Sequence, residues 1–190
     1  MGLRQIVGCR LDLGDSLPVL VYPTDRAAYA RLCRLLTMGK GRTGKGGCDL
    51  AWADLVTHGD GLITVLLPDE PNAALAGALT RLQRDFADRG YLSLNVRRRP
   101  GDAVRLQQLA DLAQAAQVLT VVTGDVLYHV PARRILQDVV TCIREGCTID
   151  DAGFRRERSA DRHLKSPDEM ARLFARYPEA LTRTLEIAVR

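Results

Sequence analysis

The stretch Asp125-Val-Leu-Tyr-His129 contains the residues of this 190-residue chain that are best placed for chemistry. It follows an apolar, β-branched run at 118–122, which is typical of a strand. An aspartate and a histidine can bind a metal ion or transfer protons, and α/β folds place such groups at the carboxyl ends of their strands. We therefore expect the candidate site at the end of this strand.

The other histidines do not extend this pair into a recognisable metal motif. His58 and His163 are far from His129 in the sequence, and three dispersed histidines lack the ligand spacing of a metal cluster. A surface or capping role is the usual one for such residues. His129 stands out only because it lies beside Asp125 at a strand end.

Two basic segments could contact phosphate groups. Gly39-Lys-Gly-Arg-Thr-Gly-Lys-Gly46 approaches the phosphate-binding pattern GxxxxGK[ST], but a predicted helix precedes it and a glycine replaces the hydroxyl that would hold magnesium. We expect a basic loop in which Lys40, Arg42 and Lys45 contact phosphates. Arg97-Arg98-Arg99 alternates sides in an extended segment, which leaves at most one of these arginines to anchor a ligand.

The composition is that of an ordinary globular domain. Hydrophobic residues make up 46% of the chain and charged residues 26%, which excludes a disordered chain. The net charge of +4 permits contact with nucleic acid without requiring it. No apolar run approaches the roughly 20 residues of a membrane span, and five scattered cysteines without a CxxC pair indicate neither a disulfide framework nor a zinc ribbon. We expect a cytoplasmic protein with no membrane partner.

The elements that would position the site alternate between strands and helices. Apolar segments at 4–13 and 17–22, separated by a turn, predict a hairpin or a bent strand pair. A helix is expected at 26–38, with Asp25 or Thr24 as its N-cap and Gly39 as its end. The remaining predicted elements are a short helix at 49–56, strands at 62–67, 91–96 and 118–122, helices at 72–89 and 102–117, and two short helices after residue 155. This order predicts an α/β fold with a largely parallel sheet.

Several stretches also carry a family resemblance. They are Ile6-Val-Gly-Cys-Arg-Leu-Asp-Leu13, Leu20-Val-Tyr-Pro-Thr-Asp-Arg26, Tyr29 with Leu32-Cys-Arg-Leu-Leu-Thr37, Gly61-Leu-Ile63, Arg99-Pro-Gly-Asp102, Asp125-Val-Leu-Tyr-His129, Leu136-Gln-Asp138, Cys142-Ile-Arg-Glu145, and His163-Leu-Lys-Ser-Pro167 through Ala188. Together they cover nearly the whole chain. In this order they resemble the PHP-domain region of error-prone bacterial DNA polymerases, C-family relatives of the replicative polymerase III α subunit.

The resemblance implies a fold and a place in a longer polypeptide. The fold would be part of a PHP-type distorted (βα) barrel, with mostly parallel strands, helices outside and a C-terminal helical tail. Residues 1–154 would form a partial PHP domain without its N-terminal strands, and residues 155–190 a helical linker toward the polymerase palm. The family's first-motif histidine pair would precede residue 1, and the palm with its Mg²⁺-binding aspartates would follow Arg190. The chain is then expected to be an internal piece of a polymerase.

The resemblance also assigns metal-site positions, and three of the implied ligands are absent from this sequence. Metal-binding members hold Zn²⁺ or Mn²⁺ there. Arg10 stands where they have a glutamate, Arg97 or a neighbour where they have a histidine, and Leu127 where Asp125 should be followed by a ligand histidine. His129 lies two residues beyond, on the same side of an extended strand. Since a guanidinium cannot bind a metal, we predict no metal, no cofactor and no catalytic residue in this chain.

A carboxylate at a former metal centre needs a replacement cation, so Asp125 is predicted to form an ion pair, with Arg10 or Arg97 as its partner. On this interpretation the segment scaffolds an error-prone polymerase in replication and repair of damaged DNA. Its partners would be the rest of the polymerase polypeptide, DNA and translesion accessory proteins.

Two alternatives remain open at this point. One is a metal-dependent phosphoesterase that uses Asp125 and His129 together with a carboxylate such as Asp12. The other is a stand-alone module that binds nucleic acid or a protein through the loop at 40–45 and the arginine-rich tail.

Overall fold

A computed structural model describes residues 5–157 and 159–190 of the chain. Within them, five strands and seven α-helices form an α/β fold. The strands are β1 (Cys9–Leu11), β2 (Val19–Pro23), β3 (Leu62–Leu66), β4 (Gly90–Leu94) and β5 (Leu119–Val122). The helices are α1 (Arg26–Gly41), α2 (Trp52–His58), α3 (Ala73–Phe86), α4 (Asp102–Ala115), α5 (Arg134–Glu145), α6 (Pro167–Leu173) and α7 (Pro178–Val189).

The sheet is mixed, with its strands in the order β1-β2-β3-β4-β5. The first three strands are antiparallel neighbours, which confirms the predicted hairpin, and β3, β4 and β5 are parallel. The prediction of a largely parallel sheet therefore holds for half of the strand pairs. The reason is the connection after β2: two helices in succession return the chain to the end where β2 finished, whereas one helix between strands gives a parallel crossover.

Local capping fixes several helix starts as the sequence predicts. The Asp25 carboxylate accepts a hydrogen bond from the Ala28 amide at 2.6 Å and begins α1. The helix does not stop at Gly39 but continues to Gly41. Gly39 instead lies against Leu50, where a Cβ atom would approach the leucine side chain to 2.7 Å. The glycine thus serves close packing within α1 rather than helix termination.

Both faces of the sheet are covered. Helices α1 to α4 pack against one face and form the main core, in which Phe86, Leu66 and Leu92 are fully buried. The start of α7 joins this main core through Ala180, beside the buried Phe174, whereas Ile187 near its end packs on the opposite face against a smaller cluster that includes Val65. The two layers account for the burial of every residue of β3 and β4.

The sheet is open within the described residues, with β1 and β5 at its edges. The α/β class is confirmed, while the PHP-type barrel and the domain boundary at 154 stay predictions. The tail contributes to the sheet layers, because Arg183 of α7 donates to the Thr120 carbonyl at 3.0 Å. Among the described residues, the helices are all too short or too polar to cross a membrane.

Candidate functional site

A cleft of about 780 Å³ opens where the parallel strands β3, β4 and β5 end. Its walls come from the segments after these strands and from residues 154–157 and 159–162, which fold back over the same edge. Six arginines line it (Arg97, Arg98, Arg99, Arg155, Arg156 and Arg162), together with four carboxylates (Asp69, Asp125, Glu157 and Asp161). The lining is therefore positive by two charges, and most of its acidic groups are engaged by arginines.

Asp125 is held by Arg162. The guanidinium lies 2.7 Å from the Asp125 carboxylate and also donates to the Asp125 main-chain carbonyl at 3.0 Å. Asp125 has a left-handed backbone, with φ of 46°, a conformation that aspartate tolerates better than most residues. The predicted ion pair is confirmed in kind, but the predicted partners are wrong, since neither Arg10 nor Arg97 pairs with this carboxylate.

Arg162 connects a second acidic group and the main chain of the same edge. Its guanidinium contacts Glu157 at 2.6 Å, and its own carbonyl accepts a hydrogen bond from the Leu127 amide at 2.9 Å. The bonds from this one residue tie the segment after β5 to Glu157 and to the residues around Arg162. Arg162 is thus the central cation of the cleft.

Arg97 is half-buried at the end of β4. Its guanidinium pairs with Asp69 and donates to the Pro68 carbonyl at 3.2 Å, while its amide donates to Asp102 at 2.7 Å. Burial, followed by the positive charges of Arg105 and Arg99, lowers the pKa of Arg97. The lowered pKa thus reflects mainly the burial of the Arg97 guanidinium and, after it, the neighbouring arginines.

Two further ion pairs fix the shape of the cleft. Arg98, which has a left-handed backbone with φ of 55°, contacts Asp161 at 3.2 Å. Behind the cleft, the buried Arg105 contacts Asp102 at 3.1 Å and donates to the carbonyls of Asn95 and Asp69. Arg105 therefore orders the loops that carry Arg97 and Asp69.

The remaining predicted site residues do not assemble with Asp125. Arg10 lies on β1 and pairs with Asp12 at 2.8 Å, both side chains being exposed. Since β1 and β5 are four strand spacings apart, Asp12 lies roughly 19 Å from the end of β5, at about 4.8 Å per spacing. Leu127 and His129 are exposed residues beyond the cleft lining. The grouping that a phosphoesterase would need is absent from the described part of the chain.

The basic loop after α1 is likewise separate from the cleft. Arg42 makes a two-pronged contact with Asp54, at 2.6 and 2.9 Å, and Asp54 also accepts from the Ala51 amide at the start of α2. These bonds, the arginine pair first, lower the pKa of Asp54 to about 2. Lys40 and Lys45 are exposed. Of the three residues predicted to contact phosphate, Arg42 thus pairs with a carboxylate of the chain itself. For Lys40 and Lys45 the predicted phosphate contact stays a prediction.

No group of three or more His, Cys, Asp or Glu side chains suitable for a metal ion occurs within residues 5–157 and 159–190. The arrangement at the strand ends is instead a set of alternating arginines and carboxylates. Such a set can hold segments together and can attract anions.

Sequence reasoning missed Arg162 and Arg105. Arg162 lies 37 residues from Asp125 with a helix between them, so no local spacing announces the contact. The available signal was the alternation of acidic and basic residues in Glu157-Arg-Ser-Ala-Asp-Arg162. Arg105 was missed because it lies on the buried face of an amphipathic helix, where an apolar residue is the usual one.

Comparison with known proteins gives matches over the whole chain. It is 66% identical over 189 residues to error-prone DNA polymerase 1 of Agrobacterium fabrum, 58% identical to error-prone DNA polymerase 2 of Rhizobium meliloti, and 46% identical over 190 residues to the error-prone DNA polymerase of Caulobacter vibrioides. The matches cover 99–100% of this chain and 17–18% of those polymerases. The chain therefore spans about a sixth of the length of these relatives. No family model matches it.

Proposed function

We propose that this chain, which corresponds along its whole length to one segment of the error-prone DNA polymerases, serves such a polymerase as a scaffold and not as a catalytic centre. In this role the segment supports synthesis over damaged DNA from outside the nucleotide-transfer site. The fold supplies a rigid sheet, and the arginine–carboxylate pairs hold its carboxyl edge in one shape.

The observation that carries the proposal is the pairing of Asp125 with Arg162. Asp125 occupies the position where the family resemblance implies a metal ligand, and a guanidinium now lies 2.7 Å from its carboxylate. An arginine at this distance neutralises the carboxylate and cannot itself bind a cation. The site therefore favours an internal ion pair over a divalent ion.

The charge of the surrounding cleft supports the same conclusion. A cluster of divalent cations would have to share the space with six arginines. Metal centres of this kind are usually built from about three or four neutral or anionic ligands. Electrostatic repulsion thus opposes the phosphoesterase alternative.

Metal loading of the purified chain tests the proposal. After dialysis against Zn²⁺ or Mn²⁺ and removal of the excess, we expect elemental analysis to find less than one ion per chain, and no hydrolysis of a phosphodiester substrate. Two or more ions per chain, lost in the Asp125→Asn variant, would establish a working metal site and overturn the scaffold role. Asp60→Asn, which alters an exposed carboxylate paired with Arg31 away from the cleft, is the matched control.

The same variants separate structure from catalysis. Asp125→Asn should lower the unfolding free energy by about 0.5–1 kcal/mol, because the Arg162 pair is half-exposed and screened by solvent. Arg162→Gln should cost more, about 1–2 kcal/mol, since it loses contacts to Asp125 and Glu157 together. Urea titration measures both values. Unchanged stability combined with loss of a hydrolytic activity would favour the enzyme alternative.

A second candidate function is binding of single-stranded nucleic acid in the cleft. The observation that favours it is the excess of arginines beside Phe154, whose ring is fully exposed at the rim. Arginines can contact phosphates while an exposed ring stacks on a base. Fluorescence anisotropy with a labelled oligonucleotide should show binding that weakens with salt and with Phe154→Ala or Arg155→Gln. Binding unaffected by both substitutions would place any contact elsewhere.

A further inference from the structure

Helix α5 is amphipathic, but its apolar side faces solvent. Its buried residues are Asp138, Thr141 and Cys142, which are polar or small. The exposed side carries five large apolar residues that are between 44% and 76% exposed: Ile135, Leu136, Val139, Val140 and Ile143. At 100° per residue they fall within an arc of about 140°, so they form one continuous stripe. We call these five residues the α5 stripe.

This orientation is the reverse of what a helix in a finished fold adopts. Surface helices turn their apolar stripe toward the core and their polar side toward water. On the inner side of α5, the Asp138 carboxylate has only Arg134 at 3.6 Å, and its buried Oδ1 atom lacks a hydrogen-bond partner within the described residues. The packing inside α5 is weak, while the residues best suited for packing point outward.

A groove continues the α5 stripe at its carboxyl end. It has a volume of about 590 Å³ and lies between α5 and the turn after it, with Val139, Ile143 and Ile149 among its lining. Clustered apolar exposure of this kind marks interaction surfaces, and the adjoining groove can accept one anchoring side chain of a partner. The stripe and groove together have the form of a docking surface for a protein.

We propose that the α5 stripe docks, within one polypeptide, onto a part of the polymerase that lies outside these 190 residues. This inference rests on the proposed function, because it assumes that the chain works inside an error-prone DNA polymerase. The relatives match this chain over only 17–18% of their length, so they contain about five times as much further polypeptide. Such polypeptide is a source of apolar surface already linked to α5.

The size of the surface favours a linked partner over a second copy of the chain. Twelve residues of helix are about 18 Å long, and one face of that length buries far less than the roughly 800 Å² per partner of a stable dimer. A covalently linked partner needs less contact, because the linkage gives an effective concentration in the millimolar range. The exposed Arg133 at the amino end of the stripe further predicts a carboxylate at the rim of the partner surface, whereas Arg144 at the other end already pairs with Glu145.

Hydrogen exchange in a chimera tests the docking. The chain replaces the matching segment of error-prone DNA polymerase 1 of Agrobacterium fabrum, to which it is 66% identical. We expect the α5 amides to exchange at least tenfold more slowly in the chimera than in the isolated chain, since docking suppresses local opening. Equal exchange rates in the two contexts would overturn the proposal.

Two substitutions sharpen this test. Ile143→Lys should abolish the slow exchange of α5 in the chimera, and the milder Ile143→Ser, kept in case the lysine variant does not fold, should reduce it. Val104→Lys, at an exposed position of α4, is the matched control and should leave the exchange of the α5 amides in the chimera unchanged. If α5 is protected in the isolated chain in a concentration-dependent way and unprotected in the chimera, the occupant is a second copy and the proposal is wrong. Hydrogen exchange of α5 is measured independently of metal content. Metal binding by the chain would therefore refute the scaffold role without refuting the docking of α5.

Discussion

Apolar side chains are buried in the sheet layers but mostly exposed in the segment formed by residues 124–157 and 159–165. In the sheet layers, apolar residues are buried and form one main core with α1 to α4. In the segment, apolar residues are largely exposed: eleven of the nineteen large apolar side chains exposed in the described residues lie between 126 and 164. That share far exceeds the segment's share of the chain, so its composition is not explained by contacts within these residues.

The difference separates what stabilises the fold from what remains available for a partner. The sheet layers have the burial of a complete domain core. Polar contacts such as Arg162 with Asp125 and Arg134 with the Glu157 carbonyl hold the parts of the segment together, and Arg98, after β4, joins it to the sheet layers through Asp161 at 3.2 Å. We infer that stability resides in the sheet layers and that the segment contributes surface.

The largest expected effect contrasts two phenylalanines. Phe86 is 1% exposed and packs edge-on against Trp52, with ring centroids 5.8 Å apart. Phe86→Ala should lower the unfolding free energy by about 3–5 kcal/mol, because it leaves a cavity in a packed core. Phe154→Ala, at a position 99% exposed, is the matched control and should change it by less than about 0.5 kcal/mol. Urea titration gives both values. Similar losses for the two variants would show that the segment contributes to stability as much as the sheet layers do.

A buried arginine gives the next largest effect. Arg105→Met should cost about 3 kcal/mol, because it leaves the Asp102 carboxylate and the Asn95 and Asp69 carbonyls without their donor. Arg155→Met changes the same residue type at an exposed position of the segment and should be nearly neutral. Thermal unfolding of both variants tests this. A neutral Arg105→Met would show that the loops behind the cleft do not depend on this side chain.

The pair of Arg42 and Asp54 predicts a smaller, pH-dependent effect within the sheet layers. Its hydrogen bonds lower the pKa of Asp54 from its ordinary value of 3.8 to about 2. The folded state then holds the proton less tightly than the unfolded state, so the pair stabilises the protein above about pH 4, and this contribution is lost as the pH falls toward 2. We expect a loss on the order of 1 kcal/mol, reduced by solvent around the partly exposed Arg42.

Asp54→Asn provides the control for this pH dependence. The variant should be less stable than the wild type at pH 6 and should lose less stability between pH 4 and pH 2. Unfolding followed by circular dichroism at each pH measures the difference. Parallel curves for the two proteins would mean that Asp54 has an ordinary pKa in the folded state.

The sequence predicts the sheet layers better than the cleft because their signals are local. Apolar periodicity places β3 and α4 within a few residues of their observed bounds, and Asp25 is correctly predicted as an N-cap. The antiparallel pairing of β2 with β3 was missed, since it depends on how α1 and α2 return the chain. Similarly, the partner of Asp125 is set by where the segment at 157–162 folds back, which no spacing encodes.

The orientation of α5 could not be predicted from the sequence either. Its sequence is clearly amphipathic, and periodicity alone would turn the apolar stripe toward the core. Which side is covered depends on what else is present to cover it. A pattern within 190 residues cannot specify a contact with a surface outside them.

The smallest expected effect comes from a valine of the α5 stripe, which we compare with a valine of the core. The comparison tests whether the stripe is packed in the isolated chain. Val140 belongs to the α5 stripe and is 54% exposed, whereas Val121 of β5 is 3% exposed. In the isolated chain, Val140→Ser should change the unfolding free energy by less than about 0.5 kcal/mol, since the residue makes little packed contact. Val121→Ser, the matched control, should cost about 2–3 kcal/mol through lost apolar burial and a buried hydroxyl. A cost for Val140→Ser close to that of Val121→Ser would show that the stripe is already packed in solution, either on the chain itself or on a second copy. A neutral result leaves the stripe as surface that the fold does not need for its own stability.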